Sequence, residues 1–137
     1  MEKVKVKNSF FETFRMNQGI INGILTKDFP VKTGYWIGRS IDKLNSESKV
    51  YFDQKDKIIN KYSSKGEDGK PETDENGNLK FENFEEFSKS LIELQQIEIE
   101  LDVNFVEVDL DELEKKNITL KPLEVMLMPF LVPKESL

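Results

Sequence analysis

The chain has 137 residues, 37% hydrophobic and 34% charged, with 20 Lys/Arg against 26 Asp/Glu and a net charge of −6. It contains neither cysteine nor histidine, which excludes disulfides, thiolate metal sites, thiol catalysis and imidazole acid–base chemistry. The length fits a single domain, residues 1–137, that can bury about two-thirds of its unfolded surface without covalent staples.

Residues 2–7 read as a short strand: Val4 and Val6 face one way, and Lys3, Lys5 and Lys7 the other. The lysine face suits a soluble edge strand better than a phosphate site. A first helix follows, through about Leu25, with Ser9 and Glu12 as a capping box and Phe10, Phe11, Phe14, Ile21, Ile24 and Leu25 at helical spacing. Pro30 can open the next helix, because its missing N–H costs nothing in a first turn.

The second helix is expected over residues 31–63. Its seam is Ile37, Ile41, Leu44, Ser48, Tyr51, Lys55, Ile58 and Tyr62, stepping by four and three. Tyr35 and Trp36 stand beside the start of that seam. Lys55 is the one charge on it. Snorkelling to solvent, or a half-buried pair with a carboxylate of the following helix, would accommodate it.

Residues 64–83 carry loop chemistry, and Asn76-Gly77 signals a type I′ hairpin turn. Disorder around residues 65–75 is the alternative. A third helix starts at Asn83, capped by that residue with Glu86 three places on, and its seam is Phe84, Phe87, Leu91 and Leu94. It should return antiparallel along the end of the long helix. At Ile97 the period becomes two: Ile97, Ile99, Leu101, Val103 and Phe105 alternate with acidic and polar residues. This strand could pair with residues 2–7, their lysines meeting its carboxylates. Residues 121–128 read as a last short helix, with Pro129 and Pro133 ending regular structure.

The predicted fold class is therefore α+β, mainly α. A long helix and a shorter antiparallel helix are joined by a β-hairpin, with an N-terminal helix and a small sheet pairing residues 2–7 with 97–105. The 64–83 segment is an insertion within one domain.

Charge is unevenly spread. Residues 1–66 carry 13 Lys/Arg and 7 Asp/Glu, residues 67–114 carry 3 and 17, and residues 115–137 carry 4 and 2. Such asymmetry can mark an interaction surface, although solvated faces of ordinary elements explain it more simply. No motif points to catalysis. Asp74, Asn76, Asn78, Glu82 and Glu85 fit EF-hand positions, but Leu79 stands where the loop needs glycine. Ser46 to Lys49 and Lys32-Thr33-Gly34 match short hydrolase motifs in the wrong order. Neither phosphate-loop pattern occurs. The expectation is a non-enzyme without cofactor or metal. A pocket lined by Lys55, a carboxylate and a tyrosine would be the arrangement to revive catalysis.

Nucleic-acid binding is disfavoured because acidic residues interleave with Lys32, Arg39, Lys43, Lys49, Lys55, Lys57 and Lys61. No run approaches the ~18 apolar residues of a membrane span, and the lysine-rich start lacks the apolar core of a signal peptide. The most hydrophobic region, residues 123–131, is either core or an adaptable partner surface. The candidate partner-binding residues are Met126, Met128, Phe130 and Leu131, with Glu67, Asp68, Asp74 and Glu75 from the acidic stretch.

The layout resembles a family of small phage and prophage proteins of Gram-positive bacteria. The resemblance rests on the order of elements: the long charged helix ending Asp53-Gln54-Lys55-Asp56-Lys57-Ile58-Ile59-Asn60-Lys61-Tyr62, the Lys65-Gly66-Glu67-Asp68-Gly69 loop, the Phe84 to Gln95 helix, the Ile97 to Phe105 alternation and a terminal Pro129-Phe130-Leu131. It implies a phage setting, in a bacterial cytoplasm or a virion, and nothing about mechanism. A non-enzymatic accessory protein is expected, acting through protein–protein binding in assembly or as a structural component. Its partner would be a phage or host protein, with a homo-oligomer also open. The alternative is an acidic antagonist of a host protein, such as a nucleic-acid-binding defence factor.

Overall fold

The structure, a computed structural model, describes residues 3–134. Strand β1 (Val4–Lys7) pairs antiparallel with β2 (Glu98–Leu101), setting Lys5 opposite Glu100 and Lys7 opposite Glu98. The lysine and carboxylate faces meet as the alternation requires, and Val4 and Leu101 are buried beneath them. Glu2 of the predicted strand lies outside the described residues.

The first helix is two helices, α1 (Phe10–Met16) and α2 (Gln18–Leu25). The break at Asn17 has a local cause. Asn17 Nδ2 donates to Thr13 O at 2.8 Å and Gln18 Nε2 to Phe14 O at 3.1 Å, so side-chain amides compete for helical carbonyls. The capping box is also overturned. Ser9 has helical dihedrals and makes no side-chain cap, and the Glu12 carboxylate is engaged elsewhere. Phe11, Phe14, Ile21 and Ile24 are nonetheless buried as their spacing demands.

Helix α3 (Val31–Tyr62) has 32 residues, ~48 Å of helix. Its seam is buried at Ile37, Ile41, Leu44, Ser48 and Tyr51 and half-covered beyond, at Lys55, Ile58 and Tyr62. Helices α1 and α2 pack on it, and α4 (Phe84–Gln96) lies along its other end. Asn83 caps α4, accepting from Glu86 N at 3.1 Å. Of the predicted α4 seam Phe87 is buried, but Phe84 is exposed and rests its ring edge on Phe81.

The connection between α3 and α4 is ordered but is not one hairpin. Isolated bridges join Ser63 to Phe81, Lys65 to Pro71 and Thr73 to Leu79. Two three-residue loops turn the chain, each closed by a paired contact: Gly66 N to Lys70 O, and Asp74 N to Asn78 O. Gly69 and Gly77 both take positive φ, +76° and +81°, while Asn76 does not. A type I′ turn needs positive φ at both central residues. The expected turn at Asn76-Gly77 is therefore replaced by a type I turn with a left-handed glycine.

The predicted strand at 97–105 ends at Leu101. After an irregular step through residues 102–105, β3 (Val106–Val108) pairs in parallel with β4 (Leu131–Pro133). The step shifts the inward phase by one residue. Leu101 faces in, and then Val106 and Val108 do, so Phe105 is turned out to the surface. Pro133 closes β4 rather than ending structure before it. Helices α5 (Leu110–Lys115) and α6 (Pro122–Met126) complete the chain. Leu127, Met128 and Phe130 enter the main core with Phe11, Ile37 and Leu101, while Val108, Leu113 and Ile118 form a satellite cluster.

Helix α6 is tied to the connector that follows α2 by an ion pair. Glu124, nearly buried, accepts from Lys121 N at 2.9 Å and lies 3.4 Å from Lys27 Nζ. Lys27→Met leaves that carboxylate with one backbone donor. The expected loss is about 1–3 kcal/mol of unfolding free energy, read from urea denaturation. Glu124→Gln in the same background should recover part of it, because the uncompensated charge is then gone.

Candidate functional site

Helix α3 leaves its first turns partly uncovered. There Lys32, Thr33 and Trp36 form one wall of a cleft of about 460 Å³. The other wall is the segment that the phase shift turned outward: Asn104, Phe105, Val106 and Glu107, then Asp109 and Glu112, with Lys134 after β4. A second cleft of about 340 Å³ continues along α3 to Arg39, Ser40 and Lys43, facing Asp102, Val103 and Asn104. Trp36 and Asn104 line both, so the two clefts adjoin between α3 and residues 102–112, and together are called the groove below.

The groove has an aromatic and arginine cluster at its edge. Trp36 is 41% exposed and Tyr35 is more so. Their rings meet edge to face at 5.2 Å. Arg39 donates to the Tyr35 hydroxyl at 3.1 Å and holds its guanidinium 5.9 Å from that ring. Arg39 is a permanent cation, as any arginine is, and the bond to the Tyr35 hydroxyl raises its pKa further above the ordinary value. Trp, Tyr and Arg are the residue types that dominate binding hot spots, and here they share two turns of helix off the buried seam. Phe105 adds exposed apolar surface on the facing wall. The opposite wall carries carboxylates, of which Asp109 is partly occupied as the cap of α5, accepting from Asp111 N and Glu112 N.

The predicted partner residues divide. Met126 is 66% exposed on α6 and Leu131 is half-buried. Met128 and Phe130 are corrected: they are 1% and 0% exposed and belong to the core, so they offer no surface. Glu67, Asp68, Asp74 and Glu75 are all exposed on the two glycine turns. Two of them are needed by the turns themselves. Asp68 accepts from Lys70 N, and one oxygen of Asp74 accepts from both Asn76 N and Asn78 N. Of the EF-hand-like spacing, Asp74 is thus used by its turn, and no group of three acidic side chains able to hold a metal occurs among the described residues. The acidic turns follow Tyr62, so α3 separates them from Trp36 by ~39 Å of helix.

The lysine, carboxylate and tyrosine trio does assemble. Lys55 Nζ lies 2.6 Å from Glu12 Oε1, and the Tyr51 hydroxyl donates to the same oxygen at 2.9 Å. Gln95 Nε2 donates to Tyr51 at 3.3 Å. Lys55 thus neither snorkels free nor pairs with α4, the two options read from the sequence, but pairs with Glu12 on α1. These groups satisfy one another and line neither part of the groove. They join α1, α3 and α4 as a clamp.

Trp36 could have been singled out from sequence, as an aromatic one place off the seam of a charged helix. Phe105 could not, because its exposure depends on the break in the strand. No helix among the described residues is long and apolar enough to cross a membrane. The chain matches no protein-family model, no curated protein and no solved structure.

Proposed function

We propose that this chain is a non-enzymatic accessory protein of phage type that acts by binding another protein, in assembly or as a structural component, through the Trp36 groove. The observation that carries the reading is the exposed cluster of Tyr35, Trp36 and Arg39 at the edge of a formed cleft. An aromatic left in water at a groove has apolar surface to gain from a partner. Polar side chains at such a place would have kept it solvated at no cost to the core.

A photo-crosslinking amino acid at position 36 tests this in the bacterial cells that express the chain. The expected result is a discrete adduct from position 36 and none from position 50, an exposed site on α3. Equal labelling from both positions, or none from either, would overturn the reading. A gene location beside tail or capsid genes would place the binding in assembly.

A second reading is favoured by the exposed acidic turns. Glu67, Asp68, Asp74 and Glu75 form a negative tip suited to the basic groove of a host protein, as an antagonist. Association there should weaken steeply with added salt. A salt-independent complex, or one unaffected by Glu67→Lys with Glu75→Lys, would remove this reading.

A further inference from the structure

We infer that the Trp36 groove receives an amphipathic helix whose two flanks carry opposite charge. The inference rests on the groove being the protein-binding surface, and it names what the partner presents there. The α3 wall is basic, with Lys32, Arg39 and Lys43. The facing wall is acidic, with Asp102, Glu107 and Glu112 outweighing Lys134 at its rim. Trp36 and Phe105 add one exposed aromatic from each wall.

A ligand that complements this groove must show an apolar stripe, an acidic row beside α3 and a basic row beside residues 102–112. An extended strand cannot do so, because alternate side chains point to opposite faces. A helix can: its stripe and both flanks lie on the same side, as in helix-in-groove recognition. The groove spans residues 32 to 43 of α3, ~16 Å of helix, which fits about three turns of a bound helix.

The probes are blocked synthetic helical peptides without tryptophan. One carries a leucine stripe with Glu on one flank and Lys on the other. A second has the same composition with Glu and Lys interleaved on both flanks. Trp36 is the sole tryptophan of the chain, so its emission follows occupancy. The segregated peptide should bind about tenfold more tightly than the interleaved one, with the gap closing as salt is added.

Charge reversal supplies the specificity test. Lys32→Glu with Arg39→Glu and Lys43→Glu makes both walls acidic and should shift preference to a peptide with Lys on both flanks. Glu107→Lys with Glu112→Lys is the independent counterpart, shifting preference to Glu on both flanks, and either pair of results suffices if one variant fails to fold. Equal affinity for segregated and interleaved peptides would overturn the inference. So would burial of Trp36 by concentration-dependent self-association, which makes a second copy the occupant. If no peptide perturbs Trp36 while the cross-link at position 36 persists, this inference falls and the binding reading stands. If the cross-link is also lost, both fall.

Discussion

Replacing Phe130 by alanine is expected to destabilise the protein by about 3–5 kcal/mol. The side chain is 0% exposed and sits in the main core with Leu127 and Met128. Removing its ring deletes buried apolar surface and leaves a cavity that the surrounding helices and strands can only partly close. The backbone bond from Val106 N to Phe130 O, at 2.8 Å, starts the β3–β4 pairing and is retained in the variant, so the loss is that of the side chain. Met126→Ala is the contrast. That side chain stands on the exposed face of α6, and its loss should change stability by no more than about 0.5 kcal/mol. Urea denaturation of the two variants separates a buried anchor from a surface residue within one hydrophobic run. A Phe130→Ala protein of unchanged stability would return the C-terminal run to the surface and undo this account of the core.

The second large effect is expected at the clamp between α1, α3 and α4. Glu12→Ala removes the acceptor shared by Lys55 and Tyr51 and should cost about 1.5–3 kcal/mol, the range for hydrogen bonds to a charged group. Glu12→Gln keeps an oxygen for the Tyr51 hydroxyl and loses the charge facing Lys55, so its cost should be smaller. A double-mutant cycle with Lys55→Met isolates the ion pair; a coupling indistinguishable from zero would mean that the 2.6 Å contact contributes nothing in solution.

The same clamp predicts a pH dependence. Burial, opposed by the hydrogen bond from Gln95 and reinforced by the one to Glu12, pushes the Tyr51 phenol from 10.0 up to about 12. Between those values the folded protein keeps a proton that the unfolded chain has released. Stability from this group is therefore whole below the ordinary value and is lost as pH rises through the upper one. Tyr51→Phe should flatten the alkaline limb of the stability profile, and the difference in tyrosinate absorbance between the two proteins should place the missing phenol at about 12. A missing phenol that titrates at its ordinary value would contradict the clamp.

The sequence by itself determined the elements whose signals are local. The four-and-three stepping from Ile37 to Tyr51 specifies a long helix and its buried face, because side chains at that spacing lie on one side whatever they pack against. Alternation set β1 against β2 with lysines opposite glutamates. Asn83 capped its helix as its side chain allows, and Gly77 marked one turn of the 64–83 segment, while the second turn at Gly69 and the turn type at Asn76-Gly77 were not foreseen. Tertiary structure decided the rest. Glu12 had two uses within reach, a local cap and a distant Tyr51 and Lys55, and only the packing of α1 on α3 selected the second. Met126, Met128 and Phe130 look alike in sequence, and the direction in which α6 meets the core separates them. The groove was the least legible feature. Its far wall exists because the chain shifts phase by one residue between Leu101 and Val106, so that β3 can pair with β4. That pairing is made with residues 131–133, and no pattern within residues 97–105 contains it. The long helix was readable as an element, while its role as one wall of a binding groove came only from what the tertiary fold set opposite Trp36.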